Sequence, residues 1–343
     1  VDCSCRGCSR RRRGRGFEYL DPDGRRITDE QTLQRIRALA IPPAWRDVWI
    51  CRDPLGHLQA TGVDASGRKQ YRYHEQWRTR RDQRKFEVMR EFAGALPSMR
   101  KRVEWDLNRD GMPRERVLAC AIRLLDLGLF RIGGERYASE NGTFGLATVR
   151  KDHVTMRPDM VVFDYAAKGD ARRIQEIHDR RAREVIAALR RRRAGGPELL
   201  AFRAGRRWVD IRSADINEYV KEIGDETFSA KNFRTWNATV MAAVNVALHG
   251  RDAVTATARK RAISTTLKFV SGQLGNTPAI CRASYVDPRV FDRYRSGWTI
   301  GPTLDEIGAD EDISGLAARH QVEAAVLDLI GGETSAASLE KAA

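Results

Sequence analysis

Long apolar runs are missing from this chain. Nowhere do about 18 consecutive apolar residues occur, the length a helix needs to cross a bilayer. The start, Val1 to Gly16, lacks the apolar stretch of a secretory leader. Cysteine is scarce, with six in 343 residues, too few for a disulfide scaffold; an intracellular, reducing setting is expected. No Gly-x-x-x-x-Gly-Lys phosphate loop is present, which argues against a nucleotide cofactor. The segment Arg131-Ile-Gly133-Gly134-Glu135 lacks the G-x-G-x-x-G spacing and follows a predicted helix. There is no His-Glu-x-x-His motif and no close run of acidic residues to hold metal for a two-metal nuclease. His57, His74, His153, His178, His249 and His320 are scattered. No cofactor and no metal are expected.

Positive charge is what the chain has in excess. Its 61 Lys and Arg outnumber 46 Asp and Glu, a formal +15, a balance that suits a polyanionic partner. Residues 1–95 carry 21 basic and 13 acidic side chains, residues 96–298 carry 38 and 24, and residues 299–343 carry 2 and 9. The first two segments are therefore expected on a phosphate backbone and the acidic end away from it. Cys3, Cys5 and Cys8 lie within an Arg-rich stretch. No nearby second pair completes a four-ligand zinc site, so residues 1–16 read as a flexible basic tail.

The apolar fraction, 42%, supports ordinary cores, and the length suits two domains. Helical spacing marks Asp29–Ala40, ended by Pro42-Pro43. Val48–Cys51 and His57–Thr61 read as strands around an Asp-Pro-Leu-Gly turn. Trp77–Phe92 reads as a charged helix, with Gly94 and Pro97 as a boundary. Arg114–Leu129 buries a broad helical face. Phe144–Val149, Val154–Met156 and Val161–Tyr165 read as strands, with Ala167-Lys168-Gly169-Asp170 as a hairpin tip and Arg172–Ile177 returning. Further helices are expected over Asp179–Arg193, from Ser213 to Gly224, from Ser229 to Leu248, and over Ala256–Leu274 with Gly275 at C′. Thr277-Pro278 is an N-cap and N1 pair opening a short helix that ends near Tyr285. The expected fold class is α+β: a small, mainly β lobe over 17–92, a larger, mainly α catalytic domain over 93–330 with a small antiparallel sheet, and a loose tail over 331–343.

If phosphoryl chemistry runs without metal, Arg, Lys and neutral donors must stabilise the transition state, and a side chain such as Ser or Tyr must attack. The stretch Gly275-Asn276-Thr277-Pro278-Ala-Ile-Cys-Arg-Ala-Ser-Tyr285 resembles the nucleophile segment of poxviral and bacterial type IB topoisomerases. Three further segments resemble that family in the right order: Phe130-Arg131-Ile-Gly-Gly-Glu-Arg-Tyr137, Ala167-Lys168-Gly-Asp170 and Lys231-Asn-Phe-Arg234-Thr235. Gln59-Ala-Thr-Gly62 and Gly67-Arg-Lys-Gln70-Tyr71-Arg-Tyr73-His74 resemble its DNA-facing lobe. The likeness covers residues 17–330.

The resemblance implies a two-lobed clamp around double-stranded DNA that relaxes supercoils through a 3′-phosphotyrosyl intermediate. Arg131 and Arg234 would bind the phosphate oxygens, Lys168 would protonate the leaving 5′ oxygen, and Tyr285 would attack. Asn276 would donate a further hydrogen bond; viral and eukaryotic members commonly have His there. Gln70, Tyr71, Tyr73, Tyr137 and Lys231 would contact DNA. Arg forks suit phosphate, and Gln suits adenine. A monomer in the cytoplasm, associated with the nucleoid, is expected, with no membrane partner.

Taken singly, each residue has an ordinary reading: an ion-paired Arg131, an exposed turn Lys168, a half-buried Tyr285. Two rivals stand beside the family. A tyrosine recombinase usually has His three residues before its second Arg, where this chain has Lys231. A nucleoid protein binding by charge alone would show steep salt dependence and no covalent product.

Overall fold

The computed structural model describes residues 2–169, 171–308, 316–332 and 335–341, with the side chains of 137 and 316–318 outside that description. The chain divides into two units, one up to Lys85 and the other from Phe86.

The first unit is built on an antiparallel sheet. β1 (Cys8–Arg13) and β2 (Gly16–Leu20) form a hairpin, followed by α1 (Glu30–Ala38), β3 (Arg46–Ile50), β4 (Leu58–Val63) and β5 (Lys69–Tyr73), in the spatial order β2-β1-β3-β4-β5. Cys8, Ile36, Val48, Ile50 and Ala60 make its small core. The basic stretch expected as a flexible tail is thus strand from Cys8 onward. Its run of arginines hides the alternation that marks a strand, and tertiary hydrogen bonds hold it. Arg10 donates to the carbonyls of Ile41, Pro42 and Trp45 at 3.1, 3.0 and 2.7 Å, and the Trp49 indole donates to the Cys5 carbonyl at 2.9 Å. Among the described residues no group of three or more His, Cys, Asp or Glu is placed to hold a metal.

Next comes α2 (Glu75–Leu107), whose first residues belong to the first unit and whose later ones belong to the second. It runs straight through Gly94 and Pro97, where a boundary was expected. An interior proline costs a helix about 3 kcal/mol. Against that, Phe86, Met89, Phe92, Leu96, Met99, Val103 and Leu107 form one unbroken buried stripe. At roughly 1.5–3 kcal/mol for each fully buried large apolar side chain, the stripe wins.

The second unit continues with α3 (Arg114–Gly128), α4 (Glu135–Asn141), β6 (Val154–Met156), β7 (Val161–Ala167), β8 (Ala171–Ile177) and α5 (Arg180–Arg191). β9 (Ala201–Ala204) and β10 (Arg207–Asp210) form a hairpin that had not been anticipated. Then follow α6 (Ser213–Ile223), α7 (Ala230–His249), α8 (Ala256–Leu274), α9 (Pro278–Ser284), α10 (Pro288–Arg295), β11 (Trp298–Thr299), α11 (Gly301–Ile307), α12 (Leu316–Gly331) and β12 (Glu340–Lys341). α3 is the central helix, with Val117 to Leu125 almost wholly buried and α5, α6 and α7 packed on it. The expected small sheet is present in the order β6-β7-β8, with Lys168 in the turn between β7 and β8. Phe144–Val149 is not a strand as expected; it contains a single 3₁₀ turn over Leu146–Thr148. The end expected to be loose also departs from expectation, because β12 pairs with β11 and the Glu340 carboxylate accepts from Arg251 and Thr299.

A buried ionic network joins α12 to α2 and α3. The Arg100 guanidinium donates to both Asp126 oxygens at 2.9 Å and to both Glu323 oxygens at 2.6 and 2.8 Å. Arg319 donates to Asp126 at 2.8 Å and to Glu323 at 3.1 Å. Burial alone would raise the Asp126 pKa, but Arg319, then Arg100 and Arg123, hold it below the usual carboxylate range.

Candidate active site at the end of a helix

The site is organised by the last turn of α8. Thr255 caps the start of this helix, its hydroxyl accepting from the Ala258 N–H at 3.1 Å. Gly275 ends it in the left-handed conformation, φ 63° and ψ 46°, which glycine adopts without a Cβ penalty. A helix end leaves carbonyls without intrahelical partners. Here three successive ones each receive a guanidinium N–H. Arg173 from β8 donates to the Gln273 carbonyl at 2.7 Å. Arg234 from α7 donates to Leu274 at 3.0 Å. Arg131, from the segment after α3, donates to Gly275 at 2.7 Å and also to the Asn276 side-chain oxygen at 2.6 Å. The negative end of the helix dipole and its free carbonyls favour cations at this point, so the fold gathers like charges that would otherwise repel.

Each arginine is set by its own local structure. Leu129 closes α3 in the left-handed region, φ 53°, and turns the chain so that its carbonyl accepts from Arg234. The Arg131 carbonyl accepts from the Leu146 N–H at 2.9 Å and the Ile132 carbonyl from Ala147 at 2.7 Å. That pairing depends on Gly133 facing Gly145, since a Cβ on Gly133 would lie 2.8 Å from the Gly145 Cα. Arg234 is 3% exposed. Burial, reinforced by the charges of Arg131 and Arg173 and opposed by Tyr285, presses its pKa down to about 10. It therefore stays charged at neutral pH.

The nucleophile candidate follows directly. Thr277 caps α9, its hydroxyl accepting from the Ile280 N–H at 3.3 Å, and Pro278 occupies the first turn. Tyr285 is the C-cap residue, half-buried. The Arg234 Cζ lies 5.3 Å from the centre of its ring and the Lys231 Nζ 5.8 Å. Thr239, fully buried on α7, contacts the Tyr285 carbonyl at 3.4 Å and accepts from the Asp287 N–H at 3.1 Å. A single helix, α7, thus carries Lys231, Arg234 and Thr239 to the nucleophile. The Asn276 Nδ2 is buried and has no hydrogen-bond partner among the described residues. A buried donor left unpaired costs free energy, which a bound acceptor would relieve.

Arg131, Arg234, Asn276, Lys231 and Tyr285 are therefore brought together. Lys168 is exposed in the hairpin turn next to Gly169, whose φ is 84°. The Tyr137 side chain lies outside the described residues. Sequence reasoning missed Arg173 and Thr239. For Arg173 a signal existed, because strand alternation puts it on the inner face with Gln175 and Ile177, where an arginine needs a reason.

In the first unit, Tyr71 and Tyr73 share a face of β5 with ring centres 6.0 Å apart. Tyr73 also stacks on Trp77 at 4.6 Å, with Arg81 over both Tyr73 and Trp77. Gln70 is on the other face of the strand, and its amide donates to Asp64 at 2.8 Å. Gln70 is thus not brought together with the two tyrosines.

Comparison with known proteins agrees with this geometry. The family described as eukaryotic DNA topoisomerase I, catalytic core, matches residues 74–297. The family described as bacterial DNA topoisomerase IB, N-terminal domain, matches residues 16–64. DNA topoisomerase 1B of Acanthamoeba polyphaga mimivirus is 28% identical over 297 residues, covering 84% of this chain and 88% of the viral one. DNA topoisomerase I of Monkeypox virus is 20% identical over 268 residues, covering 77% and 82%. DNA topoisomerase 1 of Candidozyma auris is 30% identical over 160 residues, 46% of this chain but 20% of the yeast protein. The catalytic-core match over residues 74–297 takes in Arg131, Lys168, Arg234, Asn276 and Tyr285 together, and it sets aside both the recombinase and the charge-only binder: the chain belongs to the DNA topoisomerase I family and is a type IB DNA topoisomerase.

Proposed function

We propose that the protein relaxes supercoiled duplex DNA by reversible transesterification at Tyr285, without ATP or metal. The Tyr285 oxygen attacks a backbone phosphorus and gives up its proton to water. A phosphotyrosyl ester forms at the 3′ side, and the bond from phosphorus to the 5′ oxygen breaks. The bond energy is kept in the new ester, so the 5′ hydroxyl can reverse the step once the strand has turned. Arg131 and Arg234 bind the non-bridging oxygens as charge grows on them. Asn276 adds a neutral donor through Nδ2. Lys168 protonates the departing 5′ oxygen, a contribution of about 10²–10⁴-fold for a well-placed general acid.

The observation that carries this reading is the set of arginines gathered on one helix end beside Tyr285. Tyr71, Tyr73, Tyr137 and Lys231 serve as DNA contacts, Gln70 does so only by releasing Asp64, and one active site per monomer suffices to nick one strand. The test is relaxation of supercoiled plasmid in EDTA without ATP, the protein compared with Tyr285→Phe. Relaxation by the parent alone, with a covalent adduct on denaturation, is the expected result. DNA binding without relaxation by either protein would overturn the proposal.

A further inference from the structure

Arg173 has no part in the chemistry above, yet it is one of the three arginines on the α8 end. It lies on β8, the return strand of the hairpin whose turn holds Lys168, directly across from Tyr165. Alternation puts Arg173 on the inner face with Gln175 and Ile177, which are 8% and 2% exposed. Arg172 points the other way and pairs with Asp164. The Tyr165 hydroxyl donates to Gln175 at 2.8 Å, closing that inner face. Arg173 then reaches out of the hairpin to the Gln273 carbonyl at 2.7 Å, with its Nη1 3.1 Å from where a Cβ on Gly275 would sit. Among the described residues it pairs with no carboxylate.

We infer that Arg173 is a positioning residue for DNA cleavage: it fastens the β7–β8 hairpin to the end of α8 and thereby holds Lys168 against the leaving group. This rests on the reading of Lys168 as general acid. The mechanical reason is leverage. At about 3.3 Å per residue, the turn lies roughly 10 Å beyond Arg173. A rock of about 10° at the fastening would swing the tip by roughly 2 Å, and misplacement of about 1 Å can cost 10²-fold in rate. The Gln273 carbonyl is three residues before Asn276, so the fastening point and the rest of the site move as one piece.

The test compares two leaving groups in single-turnover cleavage at a mapped site. One duplex has the ordinary phosphodiester; the other has sulfur in place of the bridging 5′ oxygen. A thiol with a pKa of about 8.5 leaves without a proton, whereas an alcohol, a far weaker acid, needs one. Lys168→Ala should be slow on the ordinary duplex and restored on the sulfur one. Arg173→Ala should follow the same pattern, slowed by about 10–100-fold on oxygen and restored to near the parent's rate on sulfur. Restoration also shows that the variant is folded and binds DNA. Arg173→Lys, which can still reach a carbonyl, should fall between. If Arg173→Ala is equally slow on both duplexes, it acts on the phosphate or on the fold, and the inference is overturned. Parent-like cleavage of both would overturn it too. If Lys168→Ala is not restored, the general-acid reading itself has failed, and the Lys168 arm shows this independently of Arg173.

Discussion

Replacing Asn276 with leucine separates stability from catalysis. In the folded protein the Asn276 Oδ1 accepts from Arg131 at 2.6 Å, while its Nδ2 is buried without a partner among the described residues. The variant removes both groups. A hydrogen bond to a charged group contributes about 1.5–3 kcal/mol, and an unsatisfied buried donor costs about 1–3 kcal/mol. The two effects oppose each other, so Asn276→Leu should change unfolding free energy in urea by no more than about 1–2 kcal/mol. The effect on rate has no such offset. Losing one preorganised donor to a developing oxyanion costs about 10²–10³-fold, which is the expected fall in single-turnover adduct formation. Asn276→His keeps a ring N–H donor and can carry charge, and it should cleave faster than the parent. Parent-like cleavage by Asn276→Leu would refute the reasoning. So would a loss of stability large enough to account for the lost activity, because Asn276 would then be a structural residue that only happens to lie beside Arg131.

Gly133→Ala should depress cleavage without unfolding the protein, since its Cβ would push Gly145 away and with it the backbone pairing that aims Arg131; adduct formation and circular dichroism measured together check this. Arg100→Met should cost about 3–5 kcal/mol in urea unfolding, the usual result of stripping one partner from a buried ion pair, and toward the lower figure because Arg319 still reaches both carboxylates. That penalty should shrink in acid. The folded pKa of Asp126 is depressed, so its contribution is present above the unfolded value of about 3.9 and lost as pH falls through the folded one; a penalty that stays constant down to that range would contradict the assignment.

Much of the site was legible because its punctuation is local. Gly275 at C′, Thr277 as cap and Pro278 in the first turn are short-range signals, and the structure puts α8, α9 and Tyr285 where those residues placed them. The turn holding Lys168 was legible for the same reason. What was hidden depends on partners far away in sequence. β1 is held by Arg10 on carbonyls about thirty residues on. α2 survives Pro97 because its stripe packs on the second unit's core. Residues 335–341 return to β11 through a two-residue ladder. For Arg173 the alternation along β8 is visible in sequence, but the carbonyl that it bonds lies 100 residues further on and leaves no mark there.

The last turn of α8 also fixes the length of that helix. Each added or deleted residue turns a helix end by about 100° and shifts it by about 1.5 Å. An ordinary exposed helix end tolerates such drift, since water satisfies whichever carbonyls face out. Here three neighbouring carbonyls meet arginines arriving from three separate elements, and the same backbone leads on to Asn276 and Tyr285. A single insertion before Gly275 would unseat all three arginines and turn the nucleophile away in one event. Substitutions in this helix can be absorbed one at a time, but its residue count cannot change.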